Sequence, residues 1–199
     1  MAENKLLVAL DEYLKAGIHI GTKFRTKDMA SFVYKIRNDG LSVLNVQEID
    51  KRIGIAAKFL SQYKPEDILV ICRRENGWSA ASLMGKLTGI RVITGKYPAG
   101  IMTNVKLDNF IEAKIIFVVD PWPDKNAVVD SYNNSIPVIG LCDTNNDAKY
   151  VDLVVPCNNK GKNSLGLIFW ILTKNYLVNR GLIKSEKDFN QKIEDFVAG

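Results

Sequence analysis

Only one histidine and three cysteines occur in the 199 residues. A lone imidazole, His19, excludes a multi-histidine metal centre, and Cys72, Cys142 and Cys157 lack the paired spacing of a zinc site. An odd number of widely spaced thiols is no disulfide framework either. Two of them close apolar runs, 68–72 and 138–142, where a free thiol behaves as a small hydrophobe and implies a reducing compartment. Charge, Gly or Pro interrupts every apolar run before the roughly 18–20 residues of a membrane span. The N-terminal apolar patch runs directly into Asp11 and Glu12 without a basic leader, so no signal peptide is expected.

The ordinary components of a folded domain are present. Apolar residues make up 47% and charged residues 25%, which excludes disordered and fibrous classes. The length suits a single α/β domain over residues 1–199, with residues 184–199 as a C-terminal helical tail. A net charge of +5 permits a polyanionic partner without naming one.

Local patterns fill in the outline. Leu6, Leu10, Tyr13 and Leu14 recur at helical spacing, which predicts a helix over residues 4–16 that ends at Gly17. Two strand-like runs, 32–37 and 41–45, flank Asn38-Asp39-Gly40 and predict a hairpin. A helix follows over residues 50–63, stopped by Lys64-Pro65. Beyond it, apolar strands at 68–72, 91–94, 115–119, 138–142 and 153–155 alternate with helices at 79–87, 126–132 and 165–178. A last amphipathic helix is expected over 185–197, carrying Phe189, Ile193 and Phe196. Strands that are apolar on both faces belong in a parallel sheet covered by helices, so the expected fold class is a three-layer α/β sandwich with five parallel strands.

Such a sheet presents its ligand crevice at the carboxyl ends of the strands, but these loops hold little catalytic equipment. No strand is followed by a G-x-G-x-x-G fingerprint. Gly161-Lys-Asn-Ser164 has the ending of a phosphate loop, but Pro156 occupies the place of the leading Gly and Asn163 that of the metal-binding hydroxyl. A Ser–His–Asp set would have to use His19, and no G-x-S-x-G elbow follows a strand. His19 fits better as a residue that orders the loop Gly17-Ile-His-Ile-Gly21. Asp120, Asp124 and Asp143 are candidate magnesium ligands of a phosphate- or nucleotide-handling enzyme. The favoured reading is structural: Asp124 caps the helix near Asn126, and Asp120 fixes the turn at Pro121.

Charge distribution is more informative than its sum. Acids withdraw from three stretches. The first holds Lys23, Arg25, Lys27, Lys35 and Arg37 with Asp28 alone against them; the second holds Lys86, Arg91, Lys96 and Lys106; the third holds Lys160, Lys162, Lys174, Arg180 and Lys184. Basic loops rich in Gly, Asn and Thr suit a phosphodiester backbone, with lysine and arginine neutralising phosphates and Asn, Thr and backbone N–H groups positioning them. No ribonucleoprotein aromatic motif is present, so contact should follow shape and backbone rather than base sequence. A further possibility is an interaction module whose exposed tail helix anchors a partner through Phe189, Ile193 and Phe196.

An ordered set of segments then resembles one family. It comprises Ala16-Gly-Ile-His-Ile-Gly21, Gly40-Leu-Ser-Val-Leu-Asn-Val-Gln47, Pro98-Ala-Gly-Ile-Met-Thr-Asn104, Ile136-Pro-Val-Ile-Gly-Leu-Cys-Asp-Thr-Asn-Asn146 and Pro156-Cys-Asn-Asn-Lys-Gly161. In order and spacing these resemble ribosomal protein S-two of the small subunit, in its archaeal/eukaryotic-type branch, over nearly all of residues 5–182. There is no room between Asn45 and Ile68 for the helical-hairpin insertion of bacterial members, and no long acidic tail of the eukaryotic kind.

The resemblance implies a flavodoxin-like (Rossmann-like) core and a non-enzymatic constituent of the cytoplasmic small ribosomal subunit. It implies contacts with small-subunit ribosomal RNA and other small-subunit ribosomal proteins near the head–body junction, with no cofactor, no membrane and no small-molecule substrate. The RNA-facing residues would be His19, Lys23, Arg25, Lys27, Lys35, Arg37, Lys96, Thr103, Asn104, Lys106, Asn158, Asn159, Lys160 and Lys162. The loops at Thr103-Asn104 and at Asn158–Gly161 would sit at one sheet edge.

Overall fold

In the computed structural model, residues 6–185 and 188–197 are described. Five strands, β3 (Ile68–Cys72), β4 (Arg91–Thr94), β5 (Ile115–Val118), β6 (Val138–Cys142) and β7 (Leu153–Pro156), form a parallel sheet in the order β4-β3-β5-β6-β7. Every neighbouring pair is parallel. Renumbered along the sheet this is 2-1-3-4-5, the flavodoxin-like order. A separate antiparallel ribbon joins β1 (Val33–Ile36) to β2 (Ser42–Leu44) around Gly40, whose φ of 83° is the left-handed conformation that the turn requires.

Alternate residues of each central strand feed two cores. On one face Ile68, Val70, Phe117 and Leu141 pack against α2 (Val46–Leu60), α3 (Trp78–Thr88) and α5 (Lys162–Asn179). On the other face Leu69, Ile71, Ile116 and Val118 meet Ala127 and Val128 of α4 (Lys125–Asn133), together with Tyr97, Ile101 and Met102 from the long loop after β4. Both sets are buried, which is why the strands read as continuous apolar runs rather than alternating ones. The three thiols lie within this interior as free cysteines, and burial raises their pKa values, that of Cys72 to about 12.

From Ser164 to Leu177 α5 is mostly apolar because it is covered on nearly every side. The sheet lies beneath it, α2 and α3 flank it, and α1 (Leu10–Ala16) and α6 (Ile193–Val197) close over it. Gly166 permits the closest approach: a Cβ there would stand 2.5 Å from Val197 Cγ2 and 3.3 Å from the Phe196 carbonyl oxygen.

Three sequence expectations are revised at the helix ends. α1 begins at Leu10, because the Asp50 carboxylate accepts hydrogen bonds from both the Leu7 N–H (2.8 Å) and the Tyr13 hydroxyl (2.7 Å) and holds residues 6–9 against α2 outside the helix. Residues 4 and 5 of the expected helix lie outside the described residues. α2 starts at Val46 rather than at 50, since the Asn45 side chain accepts from the Gln47 N–H at 3.0 Å and caps it. The expected tail helix over 185–197 is α-helical only from Ile193 to Val197 among the described residues. Asp188 instead closes a turn on Ser185, and Asp195 takes the Lys192 N–H.

Candidate nucleic-acid interface

The carboxyl ends of β3, β5, β6 and β7 meet in a network of buried polar side chains. Asp120, directly after β5, is 1% exposed and accepts from four groups. Its Oδ2 takes Arg74 Nε (2.8 Å) and Nη2, while its Oδ1 takes Asn146 Nδ2 (2.8 Å) and the Trp122 N–H. Asn146 Oδ1 in turn accepts from the Asp143 N–H and from Asn159 Nδ2. Lys160 Nζ donates to Asp143 Oδ2 (2.7 Å) and to Asn145 Oδ1 (2.8 Å). A charge can be buried only if it is paired and its remaining lone pairs are filled, and here both conditions hold for Asp120.

This network lies at the fold's usual ligand position, where β3 and β5 diverge, and the Arg74–Asp120 pair spans it. The two aspartates best placed to hold magnesium are thus spent on the chain's own arginine and lysine. Among the described residues no group of three or more His, Cys, Asp and Glu side chains is arranged to hold a metal ion. Asp124 differs from its expected role. It occupies the N-cap position of α4, but its side chain makes no capping bond, and both its oxygens are buried without a partner. Burial pushes its carboxyl up to about 6, with Arg73 pulling the other way.

The basic loop at residues 22–28 is fastened to the loop after β6. The Thr22 N–H donates to Thr144 Oγ1 (2.9 Å), the Thr26 N–H to the Thr144 carbonyl (3.0 Å), the Thr26 hydroxyl to the Asn146 carbonyl (2.7 Å), and the Ala148 N–H to Asp28 Oδ2 (3.0 Å). Gly21 makes this close fit possible, since a Cβ there would stand 2.5 Å from Thr144 Cγ2. Lys23, Arg25 and Lys27 project from the fastened loop, all exposed, and none forms a salt bridge among the described residues. Lys35 and Arg37 stand exposed on the ribbon nearby, Arg37 reaching Asp39 at 3.4 Å.

Other expected contact residues are placed differently. His19 orders its loop through its backbone, whose carbonyl accepts from the Leu44 N–H at 2.8 Å, rather than through its ring. The ring Nδ1 is buried without a partner, and burial lowers the imidazole pKa against the opposing pull of the Tyr13 carbonyl. Asn159 is fully buried and holds the Leu141 carbonyl, so its side chain faces inward. Asn158 closes a turn on the N–H groups of Lys160 and Gly161 and also reaches Gly17. Lys162 is exposed at the start of α5.

Lys96, Thr103, Asn104 and Lys106 are exposed in the loop after β4. Because β4 and β7 are opposite edges of the sheet, the loops at 103–104 and 158–161 do not share an edge. Met102 accepts from Asn134 at the end of α4, which sets Thr103 and Asn104 toward the amino ends of the strands. Phe189, Ile193 and Phe196, expected as exposed anchors, pack on the chain's own core. Phe196 is 1% exposed, and Phe189 meets Trp170 edge-on, so they cover α5 instead of a partner.

Sequence reasoning passed over four aromatic residues, Phe24, Trp122, Tyr132 and Tyr150, which the fold gathers along one groove beside the fastened loop. One signal was present: Phe24 lies between Lys23 and Arg25, an interleaving of basic and aromatic residues.

A flavodoxin-like sheet whose switch point is filled by its own ion pairs, with Lys23, Arg25 and Lys27 beside it in no salt bridge among the described residues, defines an α/β protein with a basic loop surface. Comparison with known proteins agrees. Residues 107–178 match the family Ribosomal protein S2. The chain is 44% identical to the small ribosomal subunit protein uS2 of Picrophilus torridus over 98% of both chains. It is 43% identical to that of Nanoarchaeum equitans over 96% of this chain and 94% of the relative, and 40% identical to that of Thermoplasma acidophilum over 98% of both. The chain belongs to the small ribosomal subunit protein uS2 family, a structural, non-enzymatic family. Among the described residues no helix is long and apolar enough to cross a membrane.

Proposed function

We propose that the chain is built into the small ribosomal subunit in the cytoplasm, where it binds small-subunit ribosomal RNA and neighbouring ribosomal proteins near the head–body junction and supports subunit assembly and translation. The observation that carries the RNA part is the fastened loop with Lys23, Arg25 and Lys27, three exposed cations with no acid paired to them among the described residues. Fixing the loop before binding reduces the ordering cost of the contact. Lys35, Arg37 and Lys96 extend the basic surface, and Thr103, Asn104, Lys106 and Lys162 supply peripheral phosphate contacts.

The test is co-sedimentation with small ribosomal subunits across a salt series. The protein should travel with the subunit at moderate salt and leave at high salt. For isolated RNA fragments, log affinity should fall linearly with log salt. The combined Lys23→Ala, Arg25→Ala and Lys27→Ala variant should bind more weakly and with a shallower slope while its circular dichroism stays unchanged. Salt-independent binding would refute the reading.

A further inference from the structure

The groove formed by α4, the Thr22–Asp28 loop and the loop after β6 has a volume of about 940 Å³ and touches the second hydrophobic core through Val128, while its four aromatic residues lie outside both cores. Phe24 and Trp122 are each 70% exposed on it, and Tyr132 is 58% exposed. Large aromatic groups left outside a complete core mark an interaction surface.

Three features identify the occupant. Trp122 is held rather than loose: it lies between Pro121 and Pro123, which restrict the backbone, and its N–H is tied to Asp120 Oδ1 at 3.2 Å. Tyr132 and Tyr150 form a pair with ring centroids 4.2 Å apart, and Lys149 Nζ lies 4.9 Å from the Tyr150 ring centre. The charge at the mouth is net positive, four cations against the two acids Asp147 and Asp28. Lys125 and Lys149 line the groove, Lys23 and Arg25 flank Phe24, and none of the four makes a salt bridge among the described residues. The nearby acids serve the loop backbone: Asp147 accepts the Lys149 N–H and Asp28 the Ala148 N–H, each at 3.0 Å.

We infer that this groove is a stacking site for unpaired RNA bases, with Trp122 and Phe24 as the platforms and the surrounding lysines and Arg25 holding the phosphates. Exposed rings interleaved with cations are what a single strand needs, because every base has a face to stack and every linkage a charge to neutralise. A duplex keeps its bases stacked on one another and offers none to the groove. The inference rests on the RNA-binding reading above and adds that the RNA is single-stranded here and is held through its bases.

The full chain is titrated with a fluorescein-labelled oligoadenylate, with a duplex of equal length, and with an abasic ribose-phosphate oligomer of equal charge. The oligoadenylate should bind best and quench tryptophan fluorescence. Trp122→Ala and Phe24→Ala should each weaken it by roughly 5- to 150-fold. Trp122→Phe should retain most of the affinity, and the salt slope should be unchanged in all three variants. Both side chains are exposed, so the alanine variants should melt as the parent does.

Equal binding of oligoadenylate and abasic oligomer, or alanine variants that bind like the parent, would overturn the stacking site while leaving the basic-loop reading intact. An acidic amphipathic peptide that occupies the groove and is not displaced by oligoadenylate would overturn it too. Failure of the RNA-binding reading itself would look different: no probe would show salt-dependent affinity.

Discussion

The Thr26 hydroxyl donates to the Asn146 carbonyl at 2.7 Å, across 120 residues of sequence. With Thr144 it fastens the basic loop to the carboxyl end of β6. Thr26→Val removes the donor and keeps the shape, at a cost of about 0.5–1.5 kcal/mol. The expected outcome is a small loss of global stability in urea, faster amide exchange across residues 22–28, and weaker RNA binding with an unchanged salt slope.

Asp120 should be among the costliest polar positions. Asp120→Ala leaves the buried Asn146 amide without its acceptor and the partly exposed Arg74 guanidinium without its ion pair, a loss of about 1–3 kcal/mol. Denaturant unfolding measures it. Adding Arg74→Met should recover part of that loss, since the uncompensated charge is then gone.

Asp124 sets a pH dependence of its own. Its folded pKa of about 6 lies above the ordinary value near 3.8, so the folded state favours the protonated form. Its contribution is present below pH 4 and is lost as pH rises through 6, amounting to about 2–3 kcal/mol. Asp124→Asn should flatten that part of the stability–pH curve and raise stability at pH 7–8 relative to the parent, as urea midpoints across the range would register.

Phe196→Ala opens a cavity over α5 and should cost about 3–5 kcal/mol. Phe189→Ala should cost less, since Phe189 is only half-buried against Trp170. If α6 were a free tail, both changes would leave the melting temperature where it was.

The sheet was legible because its strands are buried on both faces. Ile68–Cys72, Arg91–Thr94 and Val138–Cys142 match their expected spans to the residue. Helix starts were less so, because the decisive groups are single side chains: Asn45, which caps α2, and Asp50, which holds Leu7 away from α1. The basic loop was visible as a local run of charge. Its fastening to Thr144 was not, nor was the assignment of the two polar loops to opposite sheet edges, since strand order is a property of the whole chain. The aromatic groove was hidden for the same reason: Phe24, Trp122 and Tyr150 are neighbours only after folding.

The burial of α5 on nearly every side has a consequence for biosynthesis. Between Ser164 and Leu177 this helix is mostly apolar and buried, and one of the elements that close over it is Ile193–Val197. While a nascent chain has reached α5 but not α6, the helix is exposed and aggregation-prone. The chain therefore completes its core only after residues beyond 190 have emerged, so a truncation before Ile193 should produce a client for chaperones rather than a shorter working protein.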